Sequence, residues 1–414
     1  MASDGAGVAD VFRRAGQGFR ERMAGTLDAI ALKVMDCIER CRTPALGGVA
    51  YRCTGCGHVH VVWKSCGNRH CPSCQGGAAR RWMDRQADAI LPVPYFHVVF
   101  TLPRPVARIA LQNRRTVLDI LFRTAAETLR TIGADPARFG ARTGGTAVLH
   151  TWNQRMEWHP HLHCLVPNAG FDVGTGQWKV GSDRFLAPVK VLASRFRRRF
   201  VEELAKAHAD GRLAFHGSIA HLADPRAFAR EMKQVRQTGW KIYAKRPFNG
   251  PEAVVRYLSR YTHRVAISDA RILAFDGETV TFRWRKPVPK PGDRPSYGTM
   301  ALTADGFIQR FLLHRIPKGF HRIRHFGILA NGCRARTLQA VPDTDSSETS
   351  SDAGDGTGTA EETHHDRPAC PKCGSPSEPV LTLPERPGDD PDDVLDPVRK
   401  LVRQRGPPRP GGAT

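Results

Sequence analysis

Two tyrosines, Tyr257 and Tyr261, lie four residues apart in a chain that contains six tyrosines in all. In a helix this spacing places both phenols on one face, one turn apart. A phenol with a pKa of about 10 is a poor nucleophile near neutral pH, so its attack on a phosphodiester needs a nearby metal ion or base. The products are a phosphotyrosine and a free hydroxyl, which keeps the bond energy for strand joining. The pair predicts transesterification; the alternative is that both rings only pack a helix against a sheet.

About ninety residues earlier, three histidines alternate with other residues over His159–His163. Alternate residues of a strand point to one side, and neutral imidazoles bind divalent ions that can polarise a phosphodiester oxygen. The segment predicts His161 and His163 as ligands of a catalytic Mg²⁺ or Mn²⁺; core histidines satisfied by backbone groups are the alternative. Since Pro160 can interrupt the strand, the candidates for a third ligand are His159, Glu157 and Gln154.

Basic residues accompany the tyrosines. On a helix, three arginines at four-residue spacing form a stripe beside the phenols that suits a phosphate backbone, although a solvated basic face has the same pattern. Two further segments, Trp240–Arg246 and Phe282–Lys286, interleave aromatic and cationic residues, as single-strand binding requires. The candidate DNA-binding residues are Arg256, Arg260, Arg264, Lys245 and Arg246.

The cysteines cluster in Cys-x-x-Cys units. Two such units, separated by fourteen residues, predict one structural Zn²⁺ site. The predicted ligands are Cys53, Cys56, Cys71 and Cys74. Further potential ligands nearby allow a second ion or an exchanged ligand: Cys41, Cys66, His58, His60 and His70.

A third unit, Cys370–Cys373, has no obvious partner in the sequence. His364 and His365 could complete a site with it, but they fall in a segment that we expect to be a linker. We therefore interpret this unit as a remnant or a half-site.

The chain has 414 residues and a formal net charge of +22. Residues 342–366 contain eight acidic residues and no Lys or Arg, so the rest of the chain is more basic still. Such an excess indicates a polyanionic partner, nucleic acid first, with a ribosomal or membrane-surface partner as the alternative. The sequence has no transmembrane run and no export signal, which predicts a cytoplasmic, nucleoid-associated bacterial protein.

The elements that must position these residues give an α+β fold. Periodicity predicts helices over residues 10–40, 78–90, 105–132, 188–208, 225–237 and 251–262. Strands are expected at 95–102, 146–152, the histidine segment, 265–268, 271–275 and 279–285. The predicted domains are a helical and zinc-binding domain (1–92), a catalytic domain (93–341), an acidic disordered linker (342–366) and a tail (367–414) that is disordered beyond Pro376.

Over residues 20–335, these motifs resemble transposases of the insertion sequence ninety-one (IS91) family, the two-tyrosine rolling-circle enzymes of the HUH endonuclease superfamily. The matching segments are Cys53–Gln75, Phe96–Pro103, His159–Pro167, Lys245–Phe248, Tyr257–Ser268 and Phe307–Gly327.

The resemblance implies a zinc-ribbon-like N-terminal domain and a catalytic domain with an RRM-like antiparallel sheet covered by helices. His161 and His163 match the metal-binding pair, and Tyr257 and Tyr261 match the nucleophiles. The implied reaction is nicking of single-stranded DNA at element ends and its transfer to target DNA through a 5′-phosphotyrosine. A rolling-circle replication initiator or relaxase, or a non-catalytic zinc-ribbon regulator, would share part of this pattern.

Overall fold

A computed structural model describes residues 6–87, 90–91, 93–172, 174–181, 187–248, 254, 265–287, 294–340, 367–385 and 391–403. Its helices are α1 Val8–Arg22, α2 Ala29–Arg40, α3 Pro72–Ala87, α4 Arg104–Gln112, α5 Arg114–Ala134, α6 Val189–Ala209, α7 Pro225–Gln237, α8 Ala304–Leu313, α9 Asn331–Ala340 and α10 Pro391–Arg403. Within these ranges, no helix combines the length and apolar content that a membrane span requires.

The strands of the same ranges are β1 Gly48–Cys53, β2 Val59–Trp63, β3 Tyr95–Thr101, β4 Gly145–Trp152, β5 Trp158–Pro167, β6 Ala169–Asp172, β7 Gln177–Val180, β8 Ile242–Phe248, β9 Ile272–Phe275, β10 Thr279–Arg285, β11 Tyr297–Thr303, β12 Ile323–Phe326 and β13 Ser377–Leu383. The chain divides into two compact units. The larger comprises Met1–Ala31 and Gln75–Ser346, and the smaller comprises Leu32–Cys74 and Ser347–Thr414.

In the larger unit, five described strands form an antiparallel sheet in the order β12-β4-β5-β3-β8. A tight turn joins β4 to β5 and sets their register, which places His150 opposite His161 and Val148 opposite His163. On the other side of β5, Val99 of β3 lies opposite His163. Because side chains alternate along a strand, the histidines of β5 share one face of this sheet.

The opposite face of the sheet is the core. Buried residues of β3 and β5, such as Phe100 and Leu162, pack with the apolar sides of α4, α5, α6 and α7. The rings of Phe100 and Phe196 lie 4.7 Å apart, and both side chains are fully buried. Truncating a buried phenylalanine costs about 3–5 kcal/mol, so Phe100→Ala would loosen the strand next to the histidines.

A second sheet of the larger unit has the strand order β11-β10-β9 among the described residues. Helix α8 packs on it through Phe307, whose ring lies 6.2 Å from that of Phe282. Helix α1 packs on α8, with the rings of Phe12 and Phe311 5.2 Å apart. Helix α8 begins where the hydroxyl of Thr303 accepts a hydrogen bond from a backbone N–H of the first turn, which caps the helix.

In the smaller unit, β1 pairs with both β2 and β13 in an antiparallel sheet. Its buried cluster consists of Ala50, Leu383 and Val398, with partly buried side chains around them. Two of these three residues come from the C-terminal segment. The tail is therefore structured over Ser377–Leu383 and Pro391–Arg403, and the prediction of disorder beyond Pro376 is wrong for these ranges.

Three further predictions are corrected. The single helix over 105–132 is two helices, α4 and α5, because Asn113 between them has non-helical backbone. The single helix over 10–40 is two helices, α1 and α2, because the chain between them turns through Gly25 at φ +78°, which a right-handed helix cannot continue. Residues 265–268 form no strand. Ala266 and Ile267 are buried there in irregular backbone, so their apolar character reflects burial alone.

Candidate functional site

Three histidines from two neighbouring strands form a cluster on the sheet. His150 of β4, with His161 and His163 of β5, each offers a ring nitrogen, and these nitrogens lie within 4.8 Å of one another. His150 is 4% exposed. The antiparallel register places His150 directly opposite His161, and His163 two residues further along the same face. The three side chains can hold a divalent ion.

Hydrogen bonds orient two of these rings. The Nδ1 of His161 lies 2.7 Å from the carbonyl oxygen of His159, and the Nδ1 of His163 lies 2.9 Å from the Nε2 of His97. If each Nδ1–H donates, each Nε2 keeps its lone pair for a metal, which is the usual arrangement around a metal-binding histidine. Burial lowers the pKa of His161 to about 4, so this imidazole is neutral near neutral pH, the form that binds metal.

The third histidine of the cluster is His150, which the sequence prediction missed. The ring of His159 lies 5.3 Å from that of His161 but outside the cluster. Glu157 and Gln154 are exposed in the turn between β4 and β5, and Glu157 accepts a hydrogen bond of 2.7 Å from the Asn153 amide. The signal that could have identified His150 is the short connection between the 146–152 strand and the histidine segment. A tight hairpin of these two strands places His150 opposite His161.

The predicted nucleophiles and arginine stripe, Tyr257, Tyr261, Arg256, Arg260 and Arg264, lie outside the described residues. The same is true of the side chains of Lys245 and Arg246, whose backbone belongs to β8.

A different tyrosine lies beside the histidine cluster within the described residues. Tyr243 of β8 is 57% exposed, and its ring meets that of His97 edge-on at 6.3 Å. His97 in turn stacks on His163 at 5.2 Å. An exposed aromatic ring beside the histidine cluster is suited to stacking on a nucleobase.

Four of the cysteines gather where α2 ends and α3 begins. The Sγ of Cys74 lies 3.6 Å from those of both Cys41 and Cys66, and Cys71 completes the set. Cys41 directly follows α2, whereas Cys71 and Cys74 lie at the N-terminus of α3, where the helix dipole favours thiolates. Four thiolates at this spacing fit a tetrahedral Zn²⁺.

The predicted zinc quartet is therefore corrected. Cys53 and Cys56 are not grouped with Cys71 and Cys74; they lie with Cys370 and Cys373 in a second four-cysteine cluster. The physical reason is the β1–β13 pairing, which brings the Cys370–Cys373 turn to the end of β1. Cys71 and Cys74 group instead with Cys41 and Cys66. The Cys370–Cys373 unit, predicted to be a remnant or a half-site, has these partners in the structure.

A cationic and aromatic surface borders the turn that joins the two histidine strands. The guanidinium of Arg155 lies 4.2 Å above the Trp284 ring, and that of Arg283 lies 5.2 Å from the Tyr297 ring, which is 56% exposed. A cleft of about 550 Å³ there is lined by Asn153, Gln154, Arg155, Glu157, Trp284, Arg285, Lys286 and Pro287. Such a cleft suits stacked bases and a phosphate backbone.

Hydrogen bonds attach this surface to the histidine strands. Arg271 donates to the carbonyl oxygens of Gln154 and of Arg283, so it joins the turn to β10. Arg310 of α8 donates to the carbonyl oxygen of Arg155 at 3.1 Å. The cleft and the histidine cluster therefore belong to one connected part of the larger unit.

Two family models match this chain, one in its N-terminal part and one in its central part. Residues 144–336 match the family described as "Putative transposase" (Y2_Tnp), and residues 11–102 match the "Transposase zinc-binding domain" of IS91 type. The first match includes His150, His161 and His163, and the second includes the cluster around Cys74.

Two relatives span most of the chain. "Putative transposase y4qJ" of Sinorhizobium fredii (strain NBRC 101917 / NGR234) is 46% identical over 343 residues, which is 83% of this chain and 85% of the relative. "Transposase for insertion sequence element IS801" of Pseudomonas savastanoi pv. phaseolicola is 30% identical over 323 residues, 77% and 74% of the two chains. The chain thus belongs to the IS91 family of transposases and carries that family's N-terminal zinc-binding domain.

Proposed function

We propose that this transposase nicks single-stranded DNA at the ends of its element and transfers the strand to target DNA by tyrosine transesterification. The observation that carries the proposal is the group of three imidazoles, His150, His161 and His163, within 4.8 Å on one sheet face. A helix-backed antiparallel sheet with metal-binding histidines on its open face is also what an HUH-type catalytic domain requires. The very basic composition supports a DNA substrate.

The donor set fits a divalent ion. Three imidazoles, two of them oriented by hydrogen bonds, are good ligands for later first-row transition metals such as Fe²⁺ or Zn²⁺ and acceptable ligands for Mn²⁺. Held by His150, His161 and His163, the ion would polarise a phosphodiester oxygen at the scissile position. The Cys41, Cys66, Cys71 and Cys74 cluster, which has no open position, is structural.

The chain's own residues carry the exchange of bonds. The hydroxyl oxygen of Tyr257 or Tyr261 forms a bond to phosphorus while the bond from phosphorus to the 3′ oxygen breaks. The tyrosine loses its proton and the released 3′ oxygen gains one. One DNA end is then attached to the protein through its 5′ phosphate, and attack by a 3′ hydroxyl of the target strand reverses the exchange. Two tyrosines allow two attachments in sequence.

The test is formation of a covalent adduct on single-stranded DNA that carries the element's ends, with Mn²⁺ or Mg²⁺ present. Wild type is compared with Tyr257→Phe, Tyr261→Phe, the double variant and Tyr243→Phe. The expected result is an EDTA-sensitive adduct that the double variant cannot form and that Tyr243→Phe still forms. An adduct that persists in the double variant, or that only Tyr243→Phe abolishes, would refute this assignment of the nucleophiles.

The two alternatives predict other results. A zinc-ribbon regulator would bind the DNA without any adduct. A replication initiator or relaxase would form the same adduct, but membership of a transposase family favours strand transfer between DNA molecules. Joining of the attached strand to a second, unlabelled DNA separates these activities, because only transfer yields a product of mixed sequence.

A further inference from the structure

Two Cys-x-x-Cys-Gly turns, separated by more than three hundred residues, have the same local structure. In the first, the backbone N–H groups of Gly55 and Cys56 donate to the Sγ of Cys53 at 3.3 and 3.4 Å. In the second, the N–H of Lys372 donates to the Sγ of Cys370 at 3.4 Å. Such bonds stabilise thiolates. Each turn closes with a glycine at positive φ, +69° at Gly57 and +78° at Gly374.

The backbone closes both turns in the same way. The N–H of Gly57 donates to the carbonyl oxygen of Cys53 at 3.1 Å, and that of Gly374 donates to the carbonyl oxygen of Cys370 at 2.9 Å. The N–H of each first cysteine then bonds the carbonyl of the residue after its glycine. The two turns therefore have the same backbone hydrogen bonds, and each contributes two sulfur atoms to the four-cysteine cluster.

The four sulfur atoms lie at the spacing of a tetrahedral metal site. The Sγ of Cys373 is 3.4 Å from that of Cys53 and 3.5 Å from that of Cys56, and the Sγ atoms of Cys56 and Cys370 are 3.7 Å apart. A Zn–S bond of about 2.3 Å gives a tetrahedral edge of roughly 3.8 Å. A disulfide would need about 2.05 Å, and all four cysteines are free thiols in the structure.

Strand pairing holds the two turns face to face. β13 runs antiparallel to β1 from the Gly48–Leu383 pair to the Cys53–Ser377 pair, directly beside the sulfur atoms. Thr54 adds two bonds to the carbonyl oxygen of Pro376, from its N–H at 3.0 Å and its hydroxyl at 2.9 Å. A Cβ on Gly55 would lie 2.7 Å from the Ser375 hydroxyl, so a larger residue at this position would force the Ser375 side chain to move.

The apolar cluster beside this strand pairing is small. Among the described residues its buried members are Ala50, Leu383 and Val398, with Val59, Val61, Trp63, Leu381 and Leu395 partly buried against them. Small units with so little core are usually stabilised by a metal or by disulfides.

We infer that Cys53, Cys56, Cys370 and Cys373 form a second structural zinc site, which fastens the C-terminal segment to the β1–β2 hairpin. The matched zinc-binding domain ends at residue 102 and so includes only half of these ligands. The ligands come from two segments more than three hundred residues apart, so β13 and α10 can dock only after the segment that contains Cys370 and Cys373 has been synthesised. Zinc at this site stabilises the C-terminal segment, and its removal releases that segment. The inference does not depend on the nicking chemistry.

Alkylation of full-length, zinc-loaded wild-type protein tests the site without any substitution. Cys56, Cys373 and Cys333 are all exposed, but Cys333 belongs to neither cluster. We expect iodoacetamide to modify Cys333 rapidly and to spare Cys56 and Cys373, because their thiolates are bound to the metal. A strong chelator should make Cys53, Cys56, Cys370 and Cys373 reactive together. Alkylation of Cys373 as fast as Cys333 in the zinc-loaded protein would overturn the inference.

Zinc content provides the second measurement. The variant Cys370→Ser/Cys373→Ser should contain one zinc ion fewer per chain than wild type, as should Cys41→Ser/Cys66→Ser, whereas Cys333→Ser should be unchanged. Amide exchange over 377–383 should increase in the first variant and stay low in the second, which distinguishes loss of this site from general unfolding. Unchanged zinc content in the first variant would overturn the inference.

Discussion

The Nε2 of His97 lies 2.9 Å from the Nδ1 of His163, and the two rings are nearly parallel with centroids 5.2 Å apart. His97 comes from β3 and is 4% exposed. It therefore holds a proposed metal ligand in place from the neighbouring strand. This makes His97 a positioning residue. A substitution of His97 should weaken metal binding more than it lowers adduct formation at saturating metal.

We expect His97→Ala to raise the Mn²⁺ concentration for half-maximal adduct formation by about 10–100-fold, the usual effect of removing such a partner. His97→Gln, whose amide oxygen can accept from the same Nδ1–H, should recover part of the loss. Exposed His221 provides a control, and His221→Gln should match wild type. If His97→Ala lowered the adduct yield equally at all Mn²⁺ concentrations, its role would be structural only.

The third metal ligand can be identified by comparing His150 with His159. Since only His150 lies in the cluster, His150→Ala should reduce adduct formation at least as much as a positioning variant does, on the order of 100-fold. His159→Ala should have a much smaller effect, because the His159 side chain lies outside the cluster and the hydrogen bond to His161 uses the backbone carbonyl, which alanine keeps. The rates are measured at subsaturating Mn²⁺. Equal losses in both variants would contradict the assignment of His150.

Local patterns in the sequence predict several elements well. The strand at 95–102 is confirmed as Tyr95–Thr101, and the helices at 188–208 and 225–237 are confirmed as α6 and α7. The second of these begins with a recognisable local signal, Asp224 followed by Pro225, and the Asp224 carboxylate accepts a bond of 2.7 Å from the N–H of Ala227. Interactions between residues that are close in sequence determine these elements, so they can be predicted from one sequence.

The partners of the functional residues could not be predicted in the same way. His150 meets His161 through strand register, and Cys53 meets Cys373 across 320 positions of sequence. Spacing alone favoured joining the two nearest cysteine units, which made the predicted zinc quartet wrong. The C-terminal strand lies in a segment rich in Pro, Gly and charged residues and has exposed residues on one side, so the local sequence gives little indication of a strand that forms by pairing with β1. Long-range pairing decided both sites.

The donor set predicts a metal preference. Three imidazoles and no carboxylate form the cluster in the described residues, and nitrogen ligands favour Mn²⁺ over the harder Mg²⁺. We expect half-maximal adduct formation at a Mn²⁺ concentration at least about tenfold below that for Mg²⁺. The measurement is adduct yield during parallel titrations of chelator-treated protein, with zinc left in its cysteine sites. Equal potency of the two ions would indicate a carboxylate ligand that the cluster lacks.

Acid should destabilise the larger unit through His314. Burial lowers the pKa of His314 from 6.5 to about 4; its two ring nitrogens bond to Thr151 and to the carbonyl oxygen of Met156. The unfolded state then binds the proton first, so the stability is fully present above about pH 6.5 and is lost as the pH falls toward 4. The loss attributable to this group can reach about 3 kcal/mol.

His314→Gln should therefore be less sensitive to acid than wild type, whatever its stability at pH 7.5. Urea unfolding between pH 7.5 and 4.5 measures this, followed by tryptophan fluorescence, since the rings of Trp152 and Trp158 lie 5.9 and 6.3 Å from His314. The slope of stability against pH should decrease without vanishing, because burial also lowers the pKa of His159 and of His325. An identical slope in the variant would exclude His314 as a source.

The cleft beside the β4–β5 turn should bind single-stranded DNA by stacking and by charge, and these two contributions can be separated. Trp284→Ala removes the ring beneath Arg155 and should weaken binding by about 1–3 kcal/mol with little change in salt dependence. Arg285→Ala removes a cation that can pair with one phosphate, and the slope of log affinity against log salt concentration should become shallower by about 0.7. Leu273 is exposed on the same sheet at 48%, so Leu273→Ala is the matched control.

Fluorescence anisotropy with a labelled oligonucleotide at several salt concentrations distinguishes the stacking contribution from the charge contribution. If Trp284→Ala and Leu273→Ala bound equally well, the DNA would have to follow another surface, because a stacked base cannot lose its aromatic partner without cost.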